Sequence, residues 1–378
     1  MYYFFLAPNS KNPLHLIVIT LFILLNLLNG YLNNISFANS LISLSLFLQL
    51  PIIILLVTQI SSIKIGKLVL NLRYLVIVQF FVAIVQIFIW IRPGDSINGT
   101  MLGEKHGTHI LQFLLYAVLI SHIYFNNLTV KKTMIYFIII SLIAYKSDAK
   151  IVMIAIIAFF IAVMFKNVLS SNTQITRRLL LSFCLVMIIY IANQFNLSGY
   201  ITGRWGYELS KSFSSKMIVL RDFSKDSDYS INNSLLTGAG PTQTVSRGAV
   251  IASVQASSSQ ANTPLTPSYP MYYKTYSQTT GKFSIGGISS IMQPVSSLVG
   301  LIGDQGILGT LLWISACLIP LRKAIRQRGH SENRFEVYLL FFLFLFPLSF
   351  FNTFLEFPEA TIVLAITLIA ISQKENLN

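Results

Sequence analysis

Three basic residues, Arg204, Arg221 and Arg247, lie in one polar segment, Asn196 to Pro294, of an otherwise apolar chain, and two more, Lys146 and Lys150, lie in a short polar connection ahead of it. An arginine presents a planar fork to phosphate oxygens and a lysine a point charge, so the chemistry open to them is to hold a phosphorylated anion. Both flanks of the segment are apolar runs of about twenty residues, the length that crosses a bilayer. The anion they would meet is therefore one tethered at a membrane surface. The plain alternative use of the same side chains is anchoring to anionic headgroups.

Proton transfer would fall to carboxylates or histidines, and those placed outside the cytoplasm by the charge pattern below are few: Asp95, Glu104, His106, His109, Asp148, Glu208, Asp222, Asp226, Asp228, Glu356 and Glu359. Asp304 joins them from just inside an apolar run, where an ionisable group is a functional candidate as general base or as salt-bridge partner of a cation. Glu104, His106 and His109 form a His-x-x-His with one nearby Glu, a weak metal pattern, and no metal or cofactor is expected. Tyr272 and Tyr273, with Tyr269 and Tyr276, alternate with Pro264, Pro267 and Pro270. Such flat rings stack on sugar faces, or simply pack a loop against itself. Cys184 and Cys317 both sit in apolar stretches and read as packing residues.

The elements that must position these residues follow from composition. With 54% hydrophobic and 11% charged residues and a mean hydropathy of +0.67, the chain is not a soluble domain; it reads as an all-α integral membrane protein. The net charge of +14 would suggest nucleic acid in a soluble chain. Here many of the Lys and Arg fall between apolar runs, where they orient helices, and no nucleic acid is expected. Spanning runs are Leu14 to Leu32, Leu41 to Ile60, Leu72 to Ile91, Thr108 to Phe125, Met134 to Tyr145, Ile151 to Phe165, Leu179 to Phe195, Leu298 to Ile319, Val337 to Phe351 and Ala360 to Ile371. That is about ten transmembrane helices, the fifth, sixth and last being short. The first run is longer than a signal-peptide core and should stay as an anchor.

Lys64, Lys67 and Arg73 follow the second run, Lys131 and Lys132 the fourth, Lys166, Arg177 and Arg178 the sixth, and Arg322, Lys323, Arg326 and Arg328 the eighth. Every second connection is basic, which places both termini in the cytoplasm and exports Arg92 to Gly107, Lys146 to Lys150, Asn196 to Pro294 and Asn352 to Glu359. The organisation expected is residues 1–195 with about seven spans, an extracytoplasmic loop over 196–297, and residues 298–378 with about three spans. Within the loop Leu209, Phe213, Met217 and Leu220 recur at helical spacing with Lys211, Ser214, Ser215 and Arg221 between them. This predicts a short amphipathic helix along the outer membrane surface. Thr242 to Gly287 is rich in Ser, Thr, Gln and Pro, and should have little regular structure.

Three patches then carry a resemblance. Tyr145-Lys146-Ser147-Asp148-Ala149-Lys150 precedes an apolar helix; Thr202-Gly203-Arg204 is followed by Leu235-Leu236-Thr237-Gly238-Ala239-Gly240-Pro241; and Gly303-Asp304-Gln305-Gly306-Ile307-Leu308-Gly309 opens the run after the large loop. In this order they resemble the polysaccharide polymerase and O-antigen ligase superfamily of bacterial membrane glycosyltransferases, over about Tyr145 to Ile319. The lysine-bearing patch is similar to that family's outward Ser-Arg element, with Lys where Arg is usual. The middle patch resembles its small-Gly-Arg element and Leu-Leu-Gly-x-Gly turn, and the last its acidic-x-Gly-Ile-Leu-Gly helix start. A Gly-assisted close helix contact is the plain reading of that last patch. The ligase branch usually carries a His about three turns before that helix. Pro294-Val295-Ser296-Ser297 has none, which tilts the resemblance toward polymerase.

What the resemblance implies is a GT-C-like fold in the bacterial inner membrane and transfer of a growing glycan from undecaprenyl diphosphate to the terminal sugar of another lipid-linked repeat unit. Its partners would be that lipid-linked oligosaccharide, membrane lipids, and a chain-length regulator and a flippase of the same pathway; its product would be O-antigen, hence lipopolysaccharide, or capsule. The leaving diphosphate gathers charge, which preorganised cations stabilise. Arg204, Lys150 and Asp304 are then the catalytic candidates, and Lys146, Arg221, Arg247, Tyr272 and Tyr273 the substrate-binding ones. The rivals are a ligase moving finished polymer to lipid A or protein, a lipid-linked oligosaccharide flippase, a transferase using lipid monophosphate donors, and a non-enzymatic partner of an assembly complex. A flippase would need charge inside its helices, and the monophosphate enzymes an acidic first outer loop that Asn33 to Asn39 lacks.

Overall fold

The computed structural model describes residues 14–60, 62–90, 97, 99–100, 104–125, 130–146, 150–170, 236–244, 246–249, 251, 296–327, 333–351 and 354–372. Arg204, Arg221, Tyr272, Tyr273, the amphipathic stretch and the run Leu179 to Phe195 lie outside them. The helices are α1 (Leu14–Leu32), α2 (Phe37–Phe47), α3 (Gln49–Gln59), α4 (Ser62–Phe88), α5 (Glu104–Phe125), α6 (Val130–Lys146), α7 (Lys150–Ser170), α8 (Ser297–Gln327), α9 (Arg334–Leu343) and α10 (Pro358–Ser372). There is no β-strand among the described residues. Leu14–Leu32, Lys64–Phe88, Gly107–Tyr124 and Ser297–Arg326 are long and apolar enough to cross a membrane, and a bent pair, α2 with α3, makes a fifth. Ile151–Val163 and Pro358–Ser372 are shorter apolar helices.

Burial sorts these helices into inner and outer ones. An 18-residue stretch of α5 is 89% buried and the matching stretch of α4 only 17%, so α5 is central and α4 peripheral. The exposed face of α4 carries Leu70, Tyr74, Phe81 and Phe88, the surface a lipid-facing helix needs. α10 is apolar all round and packs on α5, α3 and α4, as a helix without a polar face must. Ser121 and Thr367 hydroxyls meet at 3.1 Å between α5 and α10, and each also reaches a helix carbonyl, Ala117 O and Val363 O at 2.8 Å, so the polar groups inside this contact are satisfied.

Two departures from the expected spans have local causes. The second apolar run folds as two helices bent by 41°, and the bend at Leu48 lies just before Pro51. Proline lacks the N–H that would reach the Phe47 carbonyl and its ring crowds that group. Trp313 of α8 supplies the donor instead, Nε1 to the Phe47 oxygen at 2.6 Å. Lys64, Lys67 and Arg73, expected in a connection, lie within α4 and are exposed. Their long stems let a helix begin early while the charged heads reach water.

The last two helices are joined through irregular turns. After α9 the chain makes a π turn, Phe344–Leu348, around Pro347, and a 3₁₀ turn, Phe354–Glu356, leads into α10. Phe113, Phe344 and Phe354 are buried with ring centroids 5.0, 5.8 and 5.7 Å apart. This aromatic triangle seats the 3₁₀ turn on α5 and so fixes where Glu356 begins. At another point Lys166 of α7 meets Glu336 of α9 at 2.7 Å.

Candidate functional site

The site grows from a break in α8. Gly306 has φ 69° and ψ −178°, a conformation essentially reserved for glycine, so the helix stops and restarts there. A broken helix leaves carbonyls and amides without intrahelical partners, and buried in an apolar protein each must find another. The segment Leu236–Thr244 provides them. Ala239 N–H donates to Gly303 O at 2.8 Å, Gly240 N–H to Asp304 O at 3.0 Å, and Leu308 N–H to Leu236 O at 3.1 Å. The approach is close enough that a Cβ on Gly238, at φ 88°, would stand 2.5 Å from the Asp304 carbonyl oxygen. Asn29 of α1 completes the joint, its Nδ2 donating to Thr237 O at 2.8 Å and to Asp304 O at 3.0 Å.

Asp304 then reaches the other way, into the loop. Its Oδ2 accepts from Thr242 N–H at 3.1 Å and Ser246 Oγ at 2.9 Å. Its Oδ1 accepts from Gln243 N–H at 3.1 Å, Thr244 N–H at 2.8 Å and Thr244 Oγ1 at 2.6 Å. Three successive amides and two hydroxyls thus close on one fully buried carboxylate. A carboxylate offers about four lone-pair sites, so these donors saturate it.

Glu356 holds the far side of the same loop. It is also fully buried, accepting Gly248 N–H on Oε2 at 3.0 Å and Ser297 Oγ on Oε1 at 3.0 Å. Burial raises its pKa to about 7, against the pull of those hydrogen bonds, and the charge of Asp304 adds to the rise. Arg247 lies between the two grips, half-buried, with Nη1 donating to the Glu356 carbonyl at 2.9 Å and its guanidinium 4.0 Å from the Phe357 ring centroid. No carboxylate stands within ion-pair distance of it among the described residues.

Of the residues singled out from sequence, Asp304, Glu356 and Arg247 come together at this loop. Lys146 is the last residue of α6 and Lys150 the first of α7, so the two bracket one short connection. Glu104 and His106 open α5 with His109 a turn later, and no cluster of metal-ligating side chains occurs among the described residues. The loop around Thr242, expected to face solvent, is buried where it is described: Ala239, Thr242, Gln243, Thr244, Ser246 and Ala249 are all inside. Its polarity is spent on α8 and on Glu356 rather than on water.

Asn26, Asn29, Ser43, Gln305 and Ser297 escaped notice in the sequence. Asn26 and Gln305 both donate to Ser43 Oγ at 3.2 Å, tying α1, α2 and α8 together beside the break. One signal was present: Asn26, Asn29 and Asn33 repeat at helical spacing in an apolar run, a polar stripe that must face protein. Comparison with protein families, with curated proteins and with solved structures finds no match for this chain. Fold and site define a class: a helical protein with, among the described residues, four or five helices of membrane-spanning length and apolarity, and a buried loop fastened to a broken helix.

Proposed function

We propose that this protein is a polysaccharide repeat-unit polymerase of the bacterial inner membrane, with about ten spans and both termini in the cytoplasm. It transfers a growing glycan from undecaprenyl diphosphate to the terminal sugar of another lipid-linked repeat unit. One observation supports this above others: Leu236–Pro241 and Gly303–Gly309, two of the three patches that carry the resemblance, dock into each other through backbone hydrogen bonds. Sequence elements about sixty residues apart that complete one another's backbone have reason to occur together. The contacts also fit the alternation of the runs, which puts these residues at shared ends of their helices whichever end faces out. Asn29, Asp304 and Glu356, which the alternation places at one end of their runs, meet at the loop, and Lys166 pairs with Glu336 at the other end.

In this reading a sugar hydroxyl attacks the anomeric carbon of the donor, the new glycosidic bond forms as the bond to the lipid diphosphate breaks, and the hydroxyl proton passes to the departing diphosphate. Arg204 stabilises the leaving diphosphate, and Lys150 and Lys146 hold the second lipid-linked substrate. Arg247 joins them as a cation without a carboxylate partner among the described residues. Asp304 serves as the fastening of the loop rather than as the base, because five donors leave it no free lone pair.

The test is complementation of a deletion strain. Arg204→Ala is expected to abolish polymer while membrane levels of the protein stay normal. Normal chain length in that variant would remove Arg204 from the mechanism.

A further inference from the structure

One turn of chain holds Arg247 at three points. The Glu356 carbonyl accepts its Nη1 at 2.9 Å, the Phe357 ring lies 4.0 Å beneath the guanidinium, and the Glu356 carboxylate accepts the next amide, Gly248 N–H, at 3.0 Å. Glu356 therefore fixes both the main chain beside Arg247 and the head of its side chain. Its second carboxylate oxygen accepts Ser297 Oγ at 3.0 Å, which fastens the turn to the start of α8. A guanidinium has five N–H donors. Among the described residues Arg247 spends one of them, and no carboxylate neutralises it. A cation held still, with no carboxylate beside it among the described residues, is arranged for an incoming anion, since its orientation no longer has to be gained on binding.

We propose that Glu356 is the positioning residue of a diphosphate site at Arg247, pre-setting the guanidinium for the phosphate oxygens of a lipid-linked substrate. This rests on the reading of the protein as a transferase that uses lipid diphosphates. Glu356 acts through Arg247 and not on the sugar, because both of its carboxylate oxygens already accept from the protein. Its charge is dispensable; its acceptor atoms are not.

Purified full-length protein in detergent, titrated with farnesyl diphosphate and with farnesol as the uncharged control, separates the possibilities. Arg247→Ala should weaken farnesyl diphosphate by about tenfold or more and leave farnesol unchanged. Glu356→Ala should do the same, with the double variant no weaker than either single one, because the two residues act as a unit. Glu356→Gln should bind like the wild type, its amide oxygen still accepting from Gly248 and its nitrogen donating to Ser297. Phe357→Leu, which removes the ring but leaves every hydrogen bond of Glu356, should weaken farnesyl diphosphate severalfold. Unchanged binding in Arg247→Ala overturns the diphosphate reading itself. Loss in Arg247→Ala with wild-type binding in Glu356→Ala or Phe357→Leu overturns the positioning role alone, as does equal loss in Glu356→Gln and Glu356→Ala. If Glu356→Ala does not fold, Glu356→Gln and Phe357→Leu decide the matter.

Discussion

Replacing Asp304 separates a residue that fastens the loop from one that removes a proton. The carboxylate accepts three backbone amides, Thr242, Gln243 and Thr244, and two hydroxyls. In Asp304→Ala the hydroxyls can turn elsewhere, Thr244 toward Gly300 O at 3.4 Å, but three buried amides are left without an acceptor. At about 1–3 kcal/mol for each stranded donor, the loss is on the order of 3–9 kcal/mol, enough to free the loop from α8. Asp304→Asn is milder. Its amide oxygen can keep the Gln243 and Thr244 donors, its nitrogen then opposes Thr242 N–H, and Ser246 can rotate to accept. One stranded amide and a weaker, uncharged acceptor amount to roughly 2–4 kcal/mol. Hydrogen exchange of the detergent-solubilised protein reads this directly at residues 242–244, alongside thermal unfolding. Protection there should fall slightly in Asp304→Asn and collapse in Asp304→Ala, with polymer length following protection. Full protection and unchanged unfolding in Asp304→Asn, together with complete loss of polymer, would refute this reasoning and make Asp304 the base.

Two further perturbations test the joint from other sides. Gly306→Ala forces a side chain into a conformation costing about 1–3 kcal/mol and drives its Cβ into the Leu236 carbonyl; it should lower the thermal midpoint and release residues 236–240 to exchange. The pKa of Glu356, raised by burial to about 7 from an ordinary 4.5, makes stability depend on pH. The folded protein holds the proton more tightly than the unfolded chain, so this group's contribution is complete below about 4.5 and is lost as pH rises to about 7. Thermal unfolding should show that decline in the wild type and a flatter profile in Glu356→Gln; an identical slope in both would contradict the assignment.

The sequence made the membrane class legible because hydropathy integrates over whole helices; the bounds of α1 coincide with the apolar run Leu14 to Leu32. The glycines of Leu236–Pro241 and Gly303–Gly309 were legible as motifs, yet their meeting was not, since Asn29 and Thr237 are 208 positions apart and nothing local encodes the contact. Polarity misled at Thr242–Ser246: Ser, Thr and Gln have the same character whether they face water or a buried carboxylate. Glu356 stood among a handful of carboxylates with nothing to rank it, because its value comes from the aromatic triangle and from Arg247, both assembled by distant chain. Span averages likewise hid Asn26 and Asn29, two amides in a run otherwise apolar enough to cross a bilayer.

The most direct measurement is mass spectrometry of the lipid-diphosphate pool in a strain lacking this gene, beside a gel of its surface glycan. The account predicts single repeat units on undecaprenyl diphosphate and a surface glycan one repeat long. Long polymer stranded on the lipid would mark a ligase and contradict it, and an unchanged pattern would contradict both.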